Sequence, residues 1–119
     1  MKKLLALSVL IALTGCAEKK PLTAEEQWQG YCRSVGNAAR TIMLDRQNAI
    51  PKAQAVEHAG KIEDDTTKNF IISIIDEVYA LPEASIKEDV EASREKIRSE
   101  FTAKCIATPH DKMPDYKPF

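Results

Sequence analysis

The sequence predicts an all-α protein, a small up-down bundle of three to four helices. Apolar residues recur at steps of three and four along most of the chain after residue 22, which is the spacing of amphipathic helices. Capping-box sequences precede two of these stretches, and glycine or proline separates the stretches from one another. No apolar segment has the partner segments that a β-sheet would require.

The first long helix is predicted to run from Thr23 to about Arg46. Thr23 and Glu26 form a capping box, in which the threonine hydroxyl meets a backbone N–H and the glutamate reaches back to the cap. The apolar stripe that follows consists of Trp28, Tyr31, Cys32, Val35, Ala39 and Ile42. Gly30 and Gly36 each disfavour a helix by about 1 kcal/mol relative to alanine. We therefore expect another helix to approach closely at the small surface of Gly36, Ala38 and Ala39.

A short and weakly buried second helix is predicted next. Pro51 suits the first turn of a helix, and the segment Lys52–Ala59 is rich in alanine, with Val56 as its one large apolar residue. Gly60 is expected to end this helix.

The third predicted helix has the most apolar stripe of the chain after the amino-terminal segment. Its members are Phe70, Ile71, Ile74, Ile75, Val78 and Tyr79. Many β-branched residues also suit a strand, but the spacing is that of a helix. Asp64 or Asp65 is expected to cap its start, and Pro82 to end it.

The last helix is predicted to begin at a second capping box, Ser85-Ile86-Lys87-Glu88. Its apolar stripe consists of Ile86, Val90, Ile97, Phe101 and Cys105. The charged residues off the stripe, from Glu91 to Glu100, are expected to form a solvated face with pairing at i,i+3 and i,i+4. Three prolines and no periodicity follow Thr108, which predicts a loosely ordered tail.

The first sixteen residues have the pattern of a secretory signal peptide. Lys2 and Lys3 precede an uncharged apolar run, Leu4–Leu13, that is too short to cross a bilayer as a helix. The run ends in Leu-Thr-Gly-Cys, which resembles the lipobox of bacterial lipoproteins. The resemblance implies cleavage before Cys16, a diacylglycerol with palmitate-type chains on its thiol, and an acylated new amino terminus.

Such an anchor would hold the mature protein at a membrane, because two or three acyl chains bind stably whereas one binds marginally. Ala17, in the place where aspartate would favour the inner membrane in enteric-type sorting, predicts the outer membrane, facing the periplasm. The segment Ala17–Leu22 reaches about 20 Å when extended, so the domain is expected close to the bilayer. The predicted organisation is a signal peptide (1–15), an anchor and tether (16–22), a helical domain (23–106) and a flexible tail (107–119).

The lipoprotein resemblance suggests a role for each of the three cysteines. If Cys16 carries lipid, Cys32 and Cys105 remain, and in an oxidising envelope compartment two such cysteines predict a disulfide. Bridging them is natural if the first and last helices are antiparallel. A catalytic thiol or a metal-ligand role is the rival interpretation, but neither cysteine belongs to a Cys-x-x-Cys motif.

A second resemblance concerns the mature part of the chain. Ala38–Met43 and Asp45–Gln47 follow a cysteine on an early helix, and Phe-x-x-x-Cys ends at Cys105. This combination is similar to small secreted all-helical bacterial proteins with one disulfide. Most of those proteins have no assigned activity, so the resemblance implies a fold and no function.

Charge excludes some classes of partner. Removing Lys2 and Lys3 from the 17 basic residues leaves 15 against 18 acidic residues, a formal net charge of −3. No basic patch is present, so we expect no nucleic-acid partner. No polybasic segment adjoins Cys16 either, so the membrane contact is expected to come from the lipid alone.

Candidate chemical sites are few. His58 and His110 lack the i,i+4 partners of a helical metal site and are expected on the surface, so no metal and no cofactor other than the lipid are predicted. The acidic residues Glu63, Asp64, Asp65, Asp76 and Glu77 do not favour carboxylate catalysis, because the three adjacent acids point in different directions. Asp64 or Asp65 is better explained as a helix cap. Trp28 and Tyr31 are candidates for contact with lipid or a partner, although their spacing favours the core.

The sequence therefore favours a non-enzymatic envelope lipoprotein that binds another envelope protein, including an inhibitor, immunity or phage-exclusion role. The alternative is a periplasmic acid or stress chaperone, in which protonation of carboxylates would loosen the fold. An enzyme would need a cleft with perturbed carboxylates. The sequence identifies no particular partner.

Overall fold

The computed structural model describes residues 21–110, which form five helices and no strand. The helices are α1 (Ala24–Gln47), α2 (Lys52–Ala59), α3 (Asp65–Ala80), α4 (Glu83–Lys87) and α5 (Val90–Ile106). The predicted all-α class is confirmed. The predicted signal peptide, the lipobox with Cys16 and most of the tether lie outside the described residues, as does the tail from residue 111.

The start of α1 is the predicted capping box. Thr23 Oγ1 accepts a hydrogen bond from the Glu26 backbone N–H at 3.1 Å, and the Thr23 N–H donates to Glu26 Oε1 at 3.4 Å. The first turn of a helix leaves four backbone N–H groups without a partner in the helix. The capping box gives two of them an acceptor, the N–H of Glu26 at N3 and the N–H of Thr23 at the cap. The helix therefore begins where the sequence predicts.

The end of α1 contains a backbone feature that the sequence does not reveal. The Ile50 N–H donates to the Asp45 carbonyl, and the Ala49 N–H donates to the Arg46 carbonyl. This pair of hydrogen bonds defines a Schellman motif. Ala49 occupies the left-handed position of this motif, with φ of 61°. Glycine is the usual residue there because it has no Cβ, so the turn forms in spite of the alanine.

Helices α1 and α5 are antiparallel and make the most extensive contact of the domain. Cys32 near the start of α1 is bonded to Cys105 near the end of α5, and Gln47 at the end of α1 donates to the Val90 carbonyl at the start of α5. At Gly36, an added Cβ would lie 1.9 Å from Thr102 Oγ1 and 2.8 Å from the Arg98 carbonyl oxygen. The predicted close approach at Gly36 is confirmed.

Helix α3 runs parallel to α1 and contributes four residues to the hydrophobic core. Tyr31 near the start of α1 is hydrogen-bonded to Thr67 near the start of α3, and the Arg46 guanidinium donates to the carbonyls of Val78 and Leu81 at the end of α3. Asp64 caps α3 by accepting from the Thr67 N–H at 2.7 Å, one of the two predicted capping assignments. The core residues of α3 are Ile71, Ile74, Ile75 and Val78.

The predicted start of the last helix is wrong. Residues 85–87 belong to the short helix α4, whose N-cap is Pro82, and α5 begins only after Asp89, whose carboxylate accepts from the Ala92 N–H at 3.0 Å. The break after Lys87 resets the helical phase, so Ile86 and Val90 do not continue one stripe. Ile86 is buried, whereas Val90 is 40% exposed.

Candidate functional site

An open groove lies between α1, α2 and α3 and has a volume of about 1090 Å³. We call it the α2 groove. Its floor and walls consist of buried or half-buried apolar residues: Ala38, Ile42, Ala55, Ala59, Ile62, Ile71 and Ile75. Its rim consists of polar residues, most of them exposed: Asn37, Thr41, Asp45, Gln54, Glu57, His58 and Lys61. An apolar floor with polar groups around it is the usual composition of a binding site.

The sequence of α2 explains why the groove is open. This helix packs mainly against α3, and its residues that line the groove include only alanine as apolar side chains, Ala53, Ala55 and Ala59. Its one large apolar residue, Val56, is not part of the lining and is 37% exposed. Alanine side chains are too short to fill the space between α2 and α1, so the floor stays accessible.

The rim contains charged groups without partners. Asp45, Glu57 and Lys61 make no ion pair and accept or donate no side-chain hydrogen bond within residues 21–110. The charge of Asp45 interacts electrostatically with Tyr79. The Tyr79 hydroxyl donates a hydrogen bond to the Ile50 carbonyl at 2.7 Å. Burial raises the pKa of Tyr79, and the negative charge of Asp45 raises it further. Two carboxylates thus face the groove against one ammonium group.

The sequence-predicted chemical residues do not converge on the groove. His58 is exposed on the rim, as expected for a surface histidine. Asp76 pairs with Lys52 at 2.9 Å, and Glu77 pairs with Lys104 at 2.7 Å. Among residues 21–110, no three His, Cys, Asp or Glu side chains are grouped in a way that would hold a metal ion.

Cys32 and Cys105 form a disulfide, as predicted, with their Cα atoms 5.3 Å apart. Both residues are fully buried in the contact between α1 and α5. The bond lies at the end of the bundle where α1 begins, away from the α2 groove, which is lined on α1 by Asn37 and later residues. Its role is therefore structural within this fold.

Trp28 and Tyr31 belong to the core. Each is 1% exposed, their rings stack with centroids 5.2 Å apart, and the Tyr31 hydroxyl is 2.9 Å from Thr67 Oγ1. The core position that their helical spacing favours is confirmed. The alternative, contact with lipid or a partner, is not supported, because neither ring is open to one.

The first residues of the predicted tail contact the helical domain. The Thr108 hydroxyl donates to the Lys104 carbonyl at 2.8 Å, and the His110 imidazole stacks on the Trp28 indole at 3.9 Å between centroids. The prediction of a loosely ordered tail after Thr108 stays a prediction. The remainder, 111–119, lies outside the described part of the chain.

Comparison with known proteins returns no match to a protein family, to a curated protein or to a solved structure. Within residues 21–110, no helix is both long enough and apolar enough to cross a bilayer.

Proposed function

We propose that this chain is a lipid-anchored envelope protein whose helical domain binds another envelope protein without catalysing a reaction. The anchor part of the proposal comes from Leu13-Thr14-Gly15-Cys16, which is similar to a lipobox. The binding part is carried by one observation, the open α2 groove with its apolar floor and unpaired charges. A tether of about 20 Å would display this groove close to the outer membrane, facing the periplasm.

The polar groups of the rim favour binding over catalysis. The rim hydroxyl, Thr41, donates to the Asn37 carbonyl of its own helix at 3.2 Å, so it is not aligned with an imidazole as a nucleophile would be. His58 makes no hydrogen bond that would orient it within the described chain. General acid–base chemistry depends on such positioned pairs.

The experiment that tests the anchor is the mass of the protein purified from its natural membranes. A chain that begins at Cys16 and carries acyl mass is expected. The Cys16→Ala variant should be released by washing in salt without detergent. A chain that still begins with methionine and carries no acyl mass would refute the anchor.

The test of the binding function is capture from detergent-solubilised envelopes with the acylated protein as bait. One envelope protein should be recovered in stoichiometric amount. The amount of this captured partner would then be compared with the amount recovered by a bait in which Ala38, in the apolar lining of the groove, is replaced by glutamate. A charge at this position should reduce the recovery. Recovery of only non-specific background with both baits would contradict the proposal.

A second candidate function, an acid-responsive chaperone, is favoured by the ion pairs between helices. Arg40 on α1 pairs with Glu91 at 2.8 Å and Glu95 at 3.0 Å on α5, and Lys104 on α5 pairs with Glu77 on α3. Protonation would remove all three pairs, while the disulfide would keep α1 and α5 joined. Acidification should then increase the binding of an apolar dye and cause dimerisation, and unchanged dye binding would exclude this function.

A further inference from the structure

We propose that the α2 groove binds one helical segment of a partner protein, a segment with an apolar face flanked by lysine or arginine. This inference deepens the binding function proposed above and rests on it. It depends on three properties of the groove, namely its dimensions, the size of the side chains in its walls and the sign of its unpaired charges.

The dimensions match a short helical segment. An α-helix with its side chains is about 10 Å across and rises 5.4 Å per turn, so two turns occupy roughly 850 Å³. The groove has a volume of about 1090 Å³. Its wall on the α2 side is formed by a helix of 8 residues, about 12 Å long, which is also close to two turns.

The walls are made of small residues and the floor of branched ones. Ala38 on α1 and Ala55 and Ala59 on α2 leave room for large side chains between the two helices. Ile42, Ile71 and Ile75 provide an apolar surface below them. Helices pack by placing large side chains of one into the spaces between residues of another. A partner helix with large apolar residues at i, i+3 or i+4 and i+7 would fill this groove.

The charges on the rim select a basic partner. Asp45 on α1 and Glu57 on α2 belong to opposite walls and have no partner within residues 21–110, whereas Lys61 is the single lysine or arginine of the lining. Some carboxylates elsewhere in the domain are paired, for example Glu91 and Glu95 with Arg40. Each complementary charge pair at an exposed rim adds only a small increment of affinity, but the increments of several pairs combine, and the pairs also fix the orientation and speed association.

The test uses the full-length chain in detergent and two synthetic amphipathic helices as probes. The probes have the same leucine face and differ only in their flanks, which are lysine in one and glutamate in the other. Binding is measured by fluorescence anisotropy of the labelled probes. We expect the lysine-flanked probe to bind about tenfold more tightly, the ratio that a few exposed charge pairs produce.

The decisive variant carries Asp45→Lys and Glu57→Lys. It should reverse the preference, so that the glutamate-flanked probe binds more tightly. A gain of binding of this kind cannot result from unfolding. The matched control carries Glu88→Lys and Glu100→Lys, two exposed positions outside the groove, and has the same net charge. It should keep the original preference.

Three results would overturn the proposal. The first is a reversal of preference in both double variants, because this would report net charge instead of the groove. The second is dimerisation that the groove variant abolishes, because the occupant would then be a second copy of the chain. The third is binding of octylamine at the groove with no binding of either helix, because the site would then take a small amphipathic cation.

Failure of the inference can be distinguished from failure of the proposed function. The probes bind or fail to bind whether or not Cys16 is acylated, so a missing acyl group would refute the anchor and leave the groove test intact. Conversely, an acylated protein that captures a stoichiometric partner but shows no preference between the probes would refute this inference alone.

Discussion

At the scale of single residues, Gly36 is a position where the contact between α1 and α5 leaves no room for a side chain. The Cβ of any other residue would lie 1.9 Å from Thr102 Oγ1, a side-chain atom that can rotate, and 2.8 Å from the Arg98 carbonyl oxygen, which cannot. The Thr102 hydroxyl is itself hydrogen-bonded to that carbonyl at 2.7 Å. A methyl group at Gly36 would therefore have to push the α5 backbone away from α1.

We predict that Gly36→Ala destabilises the protein by about 2 kcal/mol, the usual cost of adding a methyl group to a packed contact. The matched control is Gly30→Ala in the same helix, where the nearest atom is Arg33 Nη2 at 3.8 Å. That change should stabilise the protein by about 1 kcal/mol through helix propensity alone. Denaturant unfolding measures both, and a stabilising Gly36→Ala change would show that α1 and α5 are farther apart than described.

At the scale of helices, the ion pairs across the α1–α5 contact make stability depend on pH. The Arg98 guanidinium, and after it that of Arg40, donates hydrogen bonds to the Glu95 carboxylate and lowers the pKa of Glu95 below its ordinary value of 4.5. Because the folded pKa is lower than the unfolded one, the charged form of Glu95 is favoured by folding. Its contribution is present above the ordinary pKa and is lost as the pH falls through the folded pKa.

We therefore predict that Glu95→Gln lowers the urea midpoint of unfolding at neutral pH and that the difference from the parent protein disappears below the folded pKa of Glu95. The control is Glu100→Gln on the same helix, whose carboxylate lies 4.0 Å from Lys96 and bridges no other helix. This change should shift the midpoint little at any pH. A Glu95→Gln difference that stays constant into strong acid would contradict the prediction.

The helices also show how far the sequence reveals the fold. Apolar spacing and capping residues predict α1, α2 and α3, because each of these helices is determined by interactions among neighbouring residues. The boundary between α4 and α5 is missed because Ser85 and Asp89 are both suitable caps, and tertiary contacts decide between them. In the fold, the Gln47 side-chain amide donates to the Ile86 and Val90 carbonyls, bonds that join α1 to both segments.

At the scale of the whole molecule, the candidate site escapes prediction for a related reason. Alanine at 55 and 59 is visible in the sequence and indicates a weakly buried helix. A groove exists only because α2 packs mainly on α3 and leaves the face of α1 between Asn37 and Asp45 partly uncovered. The approach of α1 to α5 at Gly36 is predicted more readily, since glycine within a helix calls for a reason. Small side chains in a sequence indicate an open groove only when the positions of the neighbouring helices are known.

The disulfide joins the first helix to the last, and its effect on stability can be predicted. Cys32 and Cys105 are 73 positions apart, and closing a loop of this length stabilises the folded state by about 4 kcal/mol on the chain-entropy model. Core burial in so small a domain leaves a net stability of only about 5–15 kcal/mol, so the bond is a large part of it.

We predict that replacing both cysteines by alanine lowers the free energy of unfolding by about 4 kcal/mol, through greater entropy of the unfolded chain. Reduction of the parent protein should shift the unfolding midpoint to nearly the same position, because both treatments open the same loop. The groove should remain, since neither Cys32 nor Cys105 is among its lining residues. A double variant as stable as the oxidised parent would mean that packing between α1 and α5 holds this end of the bundle without the covalent bond.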